Sequence, residues 1–418
     1  MKNKLMSLTA IIFCLSLFIA IEANAQEISS PIPGQFIVKV KEGKSISDVA
    51  QRHGAQVLHK FDHVLNGGAI VIPPGKEKDI AGDLDVESLV QDFSITAFQS
   101  RAGKPPSMTM SGDSQPQILP TGINWIDAEL NTTNEGSGAT VAVLDTGIDT
   151  SHQDLMVNTS LSKNFTRGRT DKFNDDNGHG TAVGGIIAAL DNTIDVVGVG
   201  SQIDLVAVKV LDSTGSGSFS WIIAGLDHVT ANSSVIGVAN LSLGAVGGTN
   251  PSQSFQDASA LFREAVQRAV NAGVIVVVAA GNSSVDVTQY NVVPAMYPEV
   301  FSVSALDDND GVQGNDSWAW FSNFGTEVDI IAPGVNITST KKGGGITGPI
   351  SGTSFSAPHV AGTVGLYIAR NGRPGNADAQ LIGSTVIPAI SQTRLPLSSE
   401  PVDGVTEPSC FANGASLQ

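Results

Sequence analysis

Cysteine is almost absent. The 418 residues contain two, Cys14 and Cys410. Cys14 lies in a leader-like start, which leaves one thiol for the rest of the chain and no internal disulfide. A disulfide-stapled scaffold is therefore excluded, and stability has to come from a large core, bound ions, or both. Cys410 sits in a polar tail with no His nearby in sequence, as expected of a non-catalytic thiol. Bases are scarce as well: 23 Lys and Arg face 40 Asp and Glu, a formal net charge of −17. That balance excludes sequence-independent binding to nucleic acid or to anionic membrane, which needs basic surface. The deficit is uneven. Residues 1–115 hold 12 acids and 11 bases, whereas the remainder holds 28 and 12. Charged residues make up only 15% and hydrophobic residues 41%, too apolar for a disordered chain. Past the start, no apolar run reaches the ~18 residues of a membrane span. Glycine is plentiful at 45 residues, without a collagen period, so it serves turns and close backbone approaches.

What is present begins with an address. Lys2 and Lys4 precede an apolar run from Leu5 to Ile21, and Ala23-Asn24-Ala25 follows. A basic start, an apolar stretch and a small-x-small site predict a cleaved secretory signal over 1–25. The product is expected to be exported, without a stable membrane anchor, and extracellular, or periplasmic where an outer membrane exists. Residues 26 to about 100 read as a small α+β unit. Strands are expected at Gln35–Val40, Gln56–Phe61, Gly68–Ile72 and Val90–Phe98, with helices at Ser45–His53, capped by Ser45, and near Glu77–Gly82. Ser100 to Pro116, rich in Ser, Pro, Gly and Met, marks a linker.

The larger part alternates buried strands and helices. Thr140–Leu144, Leu205–Leu211, Val235–Leu241, Val274–Ala279 and Val300–Ala305 are short apolar runs without alternation, as in strands covered on both faces. Ser254–Ala272 carries an apolar stripe and stops at Gly273. This pattern predicts an α/β fold with a mainly parallel sheet, whose active residues lie beyond the strand carboxyl ends. Three motifs fall there. Asp145 follows the strand Thr140–Leu144. His179, in Asn177-Gly178-His179-Gly180-Thr181, opens an apolar helix. Ser354, in Ser351-Gly352-Thr353-Ser354, opens another that runs to about Arg370. An Asp, a His and a Ser at such junctions suit nucleophilic acyl transfer: Ser attacks, His takes its proton and Asp holds the imidazole tautomer. Asn282, at the end of Val274–Ala279, can donate to a developing oxyanion, with the Ser354 backbone N–H as second donor. Each residue alone is weak, and His152, His228 and His359 read as structural. Four matched contexts in one order carry the weight.

From Gln117 to Arg370 these segments resemble the subtilisin-like serine endopeptidases, the subtilases. The likeness extends to stretches without catalytic groups, such as Lys209-Val210-Leu211, Gly215-Ser216-Gly217 and Ala332-Pro333-Gly334-Val335. It implies a three-layer subtilisin-like α/β fold over 111–371, preceded by a ferredoxin-like α+β propeptide at 26–110 and followed by an extension at 372–418. The propeptide would act as an intramolecular inhibitor, removed by self-cleavage between Phe98 and Pro116. Asp145, His179 and Ser354 would form the triad and Asn282 the oxyanion donor. The substrates would be polypeptides, and the enzyme a monomer.

The resemblance also assigns the substrate walls. A peptide would lie as an added strand between Thr214, Gly215, Ser216 and Gly217 on one side and Leu241 to Gly244 on the other. Phe219 would be the aromatic wall for the fourth residue upstream of the cut. Ser242, Leu243, Gly244 and Ala245, facing Ala279, Ala280, Gly281 and Asn282, would line the primary pocket, with Val292 or Val293 at its floor. None is charged, which implies an apolar or medium-sized residue before the cut. Calcium is implied at Gln117, Asp154 and Asn192 with the carbonyls of Leu190, Ile194 and Val196, an oxygen-only set suited to a hard cation. Asp171, Asp175 and Asp176 are better read as a solvated acidic loop than as a second site. Phe355 stands where secreted relatives often carry an oxidisable Met. The end of the chain lacks the usual closing pattern and is expected to pack loosely or trail as a tail.

Overall fold

The computed structural model describes residues 28–98 and 115–377, then 382–392 and shorter stretches up to Leu417. The leader 1–25 and linker positions 99–114 lie outside the described residues. Two large sheets organise the rest. The N-terminal unit runs β1 (Pro31–Val40), α1 (Ile46–His53), β2 (Gln56–Phe61), β3 (Gly67–Val71), α2 (Glu77–Ala81) and β4 (Val86–Ala97). Its antiparallel strands are ordered β4-β1-β3-β2, the ferredoxin-like arrangement. Ser45 stands at the N-cap of α1, but its side chain makes no capping hydrogen bond. The helix is held instead by its apolar face, Ile46, Val49 and Ala50, packed on the sheet.

The second unit has β5 (Thr140–Asp145), α3 (His179–Ala188), β6 (Asp204–Lys209), β7 (Ser216–Ser218), α4 (Phe219–Ala231), β8 (Val238–Leu241), β9 (Leu243–Val246), α5 (Gln253–Asn271), β10 (Ile275–Ala279), β11 (Val292–Val293), β12 (Phe301–Asp307), β13 (Ile330–Pro333), α6 (Thr353–Asn371) and β14 (Ser409–Cys410). The central sheet runs β14-β13-β12-β10-β8-β5-β6, parallel throughout this stretch. Helices cover both faces, so β5, β8 and β10 are buried at every position. That burial is why their sequences show no alternation. Helix α3 is buried all round, and α6 nearly so.

The units are joined by pairing. Ser94, Ile95 and Thr96 of β4 pair antiparallel with Ser218, Gly217 and Ser216 of β7, while Thr96 and Ala97 pair with Gly244 and Leu243 of β9. The tail is not loose where it is described. Ser409 joins β13 at Ile331, and Cys410, Ala412 and Leu417 are buried. Burial pushes the Cys410 thiol up to about 12, as expected of an inert core sulfur.

Candidate active site

The carboxyl end of β5 delivers Asp145 into a fully buried position, where both carboxylate oxygens face His179 Nδ1, at 2.8 and 2.9 Å. His179 is the first residue of α3. The helix start can approach Asp145 this closely because position 180 is Gly, where a Cβ would strike the Gly147 carbonyl and the Asp145 side chain. A buried scaffold holds the loop that leads into α3. Asp175 accepts hydrogen bonds from Thr146 Oγ1, from the Asn177, Gly178 and Thr181 N–H groups and from Thr181 Oγ1. Lys209 Nζ donates to the Thr146 and Leu211 carbonyls and pairs with Asp176 at 2.7 Å. The acidic loop thus divides: Asp171 pairs with Arg169 on the surface, Asp176 with Lys209, and Asp175 is a buried positioning residue that the sequence reading treated as solvated.

Ser354 lies in the first turn of α6. Its Oγ lies 2.7 Å from the Phe98 carbonyl oxygen and 3.0 Å from the Ser242 carbonyl oxygen, two acceptors for its single proton. Asn282 Nδ2 donates to the same Phe98 carbonyl at 2.7 Å. Thr353 sets the Asn282 amide, since its N–H and Oγ1 both donate to Asn282 Oδ1 at 2.9 Å. No hydrogen bond from the Ser354 backbone N–H to Phe98 O accompanies these, although that group was the expected second donor. His179 Nε2 is buried without a hydrogen-bond partner. The structure therefore brings Asp145 to His179, and Ser354 to Asn282, with no direct Ser354–His179 bond in this arrangement. The His179 ring lies beside Phe355, centroids 5.5 Å apart.

The expected walls flank β4 as its two partners. Gly215 O accepts from Ala97 N–H at 2.9 Å and Ser242 O from Phe98 N–H at 3.3 Å. Ser216 and Gly217 pair with Thr96 and Ile95, and Leu243 and Gly244 with Ala97 and Thr96. Thr214 stands outside the pairing, exposed and bonded to Asp212. The Phe98 side chain is buried against Gly244 and Gly281, and a Cβ at Gly244 would collide with the ring. Ala280 is buried beside them, its carbonyl held by Asn323 Nδ2. A full aromatic ring thus occupies the pocket expected to take an apolar or medium-sized residue. Val292 and Val293 form β11, paired with β9 at Val246 and Ala245. Phe219 is buried, and the ring of Phe93 on β4 lies 6.3 Å from it.

The six residues implied for calcium meet at one place, on the loop after α3. The Gln117 amide nitrogen lies 2.8 Å from Leu190 O and 3.2 Å from Val196 O. Asp154 is buried, accepts from Asn192 Nδ2 at 2.7 Å and from Val196 N–H at 3.1 Å, and burial pushes its carboxyl up to about 6. Ile194 N–H donates to Asn192 Oδ1 at 2.7 Å, and Ile194 bridges to Pro116. One carboxylate, two side-chain amides and converging carbonyls are an oxygen set that fits a hard cation. No cluster of three or more His, Cys, Asp or Glu that could hold a metal occurs among the described residues.

His152, His228 and His359 are structural. Their rings bond to the carbonyls of Gly345, Leu161 and Phe355.

A model described as the subtilase family matches residues 136–390. Subtilisin E of Bacillus subtilis (strain 168) is 35% identical over 336 residues, 80% of this chain and 78% of the relative. The alkaline elastase YaB of Bacillus sp. (strain YaB) is 36% identical over 343 residues, 81% and 79%. The thermostable alkaline protease of Halalkalibacterium halodurans is 35% identical over 350 residues, 83% and 84%. Among solved structures, a cold adapted subtilisin-like serine proteinase aligns with a TM-score of 0.56 at 30% identity, covering 71% of this chain and 99% of its own.

Proposed function

The chain belongs to the subtilase family and is a serine endopeptidase, and from that premise we propose that it is an exported zymogen which cuts itself after Phe98. Asp145, His179 and Ser354 are the triad and Asn282 the oxyanion donor. The single observation that carries this is the Phe98 carbonyl, held at 2.7 Å by both Ser354 Oγ and Asn282 Nδ2 while β4 lies paired on both sides. A polypeptide bound as a strand, with its carbonyl between a nucleophile and an amide donor, is a bond presented for cleavage.

In the first step Ser354 Oγ turns from the carbonyl oxygen toward its carbon, and its proton passes to His179 Nε2, the buried nitrogen without a partner. Asp145 holds the Nδ1–H and stabilises the imidazolium that forms. Negative charge grows on Phe98 O, where the Asn282 amide, oriented by Thr353, already points. Collapse expels the amine of residue 99, protonated by His179, and leaves Phe98 esterified to Ser354. Water, deprotonated by His179, then releases the acid. The severed N-terminal unit (26–98) stays paired with β7 and β9 as an inhibitor until it is itself digested. Substrates carry a large apolar or aromatic residue before the cut, because the primary pocket accommodates the Phe98 ring. Gln117, Asp154, Leu190, Asn192, Ile194 and Val196 would hold a calcium ion, which supplies stability by tying the loop after α3 to the segment around Gln117.

Expression of the full chain beside Ser354→Ala tests this. Mass spectrometry is expected to find a new N-terminus at Gln99 in the wild type and an uncleaved junction in the variant. A mature N-terminus elsewhere, or cleavage at Gln99 in both, overturns it.

A further inference from the structure

Phe93 is the sixth residue upstream of the proposed cut, counting Phe98 as the first. It is 3% exposed. Its backbone N–H is taken by its own neighbour, Asp92 Oδ1, so pairing with the second unit begins only at Ser94. What Phe93 presents to that unit is its ring. The ring stands edge-on to Phe255 of α5, with centroids 5.4 Å apart and planes at 87°, and 6.3 Å from Phe219 of α4. Phe219 in turn contacts Phe255 at 5.9 Å and Phe262 at 5.3 Å. Three aromatic rings from two helices thus make a ready-built apolar seat two residues beyond Ile95. Phe255 is fixed within it, because the first turn of α5 is capped by Ser252 Oγ accepting the Phe255 N–H.

We propose that Phe255, with Phe219, forms a sixth-position subsite that selects polypeptides carrying an aromatic side chain six residues upstream of the scissile bond. This rests on the site and cleavage position proposed above. An extended peptide on β7 and β9 sends alternate side chains to the same face, so a sixth residue follows the fourth onto the buried side. From Phe93 on, β4 follows this: Phe93 and Ile95 are buried, Thr96 is exposed and Ser94 lies between, whereas Asp92, just before them, is buried by its bonds to Gln35 and Ser220. Edge-to-face aromatic contact then adds to the apolar burial.

Enzyme matured from the full chain is assayed on peptides that reproduce residues 93–98 with a fluorogenic amide after the Phe98 equivalent. The first residue is Phe or Ser. The Phe peptide is expected to have a kcat/KM on the order of fivefold higher, the scale of an aromatic pair. In Phe255→Ala the ratio falls toward one, and in Phe255→Leu it lies between. The ratio is independent of the amount of folded enzyme, and if the Ala variant yields none, the wild-type ratio and the Leu variant decide. Equal rates on both peptides in the wild type, or a preference unchanged in the Phe255 variants, overturn the subsite and leave the endopeptidase site standing. Failure to hydrolyse either peptide, with self-cleavage also absent, overturns both.

Discussion

Pro358 stands four residues after Ser354 in α6, so the Ser354 carbonyl has no intrahelical N–H and accepts from Ser242 Oγ at 2.8 Å instead. The proline opens the first turn of the helix, and Ser242, at the junction of β8 and β9, closes it. The same Ser242 offers its carbonyl to Ser354 Oγ and to the Phe98 N–H. One residue between two strands therefore contacts both the proposed nucleophile and the docked strand.

Ser242→Ala leaves the buried Ser354 carbonyl without a partner. The expected loss is about 1–3 kcal/mol in urea unfolding of the inhibited enzyme. In a Pro358→Ala background the new N–H supplies that partner, so the same change costs less than half as much. Additive losses in the double-mutant cycle would refute the coupling.

If the Asp154 loop holds calcium as proposed, removing the ion is expected to lower the thermal midpoint. At a hundred times its dissociation constant an ion contributes about 2.7 kcal/mol. Asp154→Asn and Asn192→Ala are expected to melt lower in calcium and to respond little to a chelator. A variant that keeps the full wild-type response would remove these residues from the ligand set.

Acid is expected to destabilise the fold through buried imidazoles, His359 and His59 among them. Burial lowers the His359 imidazole from the ordinary 6.5 to about 4, and Nδ1–H donates to Phe355 O at 2.8 Å. The unfolded chain therefore binds more protons between these values, and stability falls as pH drops from 6.5 toward 4, by up to about 1.4 kcal/mol per pH unit. In His359→Gln the slope over that window is expected to be shallower. An unchanged slope in urea titrations at pH 6.5, 5.5 and 4.5 would assign the acid sensitivity elsewhere.

Peroxide resistance is expected from Phe355. It is 5% exposed, and its ring lies 5.5 Å from that of His179. A Met there oxidises to a polar sulfoxide beside the imidazole. Phe355→Met is expected to lose activity in peroxide several times faster than the wild type, with the mass of one added oxygen. Equal inactivation rates would locate the oxidative weak point elsewhere.

Asp145, His179, Ser354 and Asn282 stood out as candidates in the sequence because each lies at or just past the end of a buried strand or in the first turn of a buried helix. Those junctions carry local signals: an unalternating apolar run, a Gly-flanked turn, then a small-residue helix. The alternation of β1 and the stripe of α5 likewise come from which face meets the core. Asp175 was not legible. A carboxylate in a run of acids looks solvated until the loop folds back and five donors surround it. The Phe98 ring against Gly244 and Gly281 was not legible either, because which residue of β4 reaches Ser354 depends on the register between β4 and its partners β7 and β9. A one-residue slip would exchange Phe98 for a neighbour and reverse every side chain on the strand. The Phe255–Phe93 contact leaves no local signal, because the two rings meet only when segments more than a hundred and fifty residues apart in sequence are packed together. The sequence alone determined the scarcity of cysteine and of bases, the alternating α/β order and the four chemical groups, since these depend on composition and local periodicity. Only the tertiary structure decided that the Phe98 carbonyl lies against Ser354 and Asn282, because register and long-range packing are properties of the folded chain as a whole.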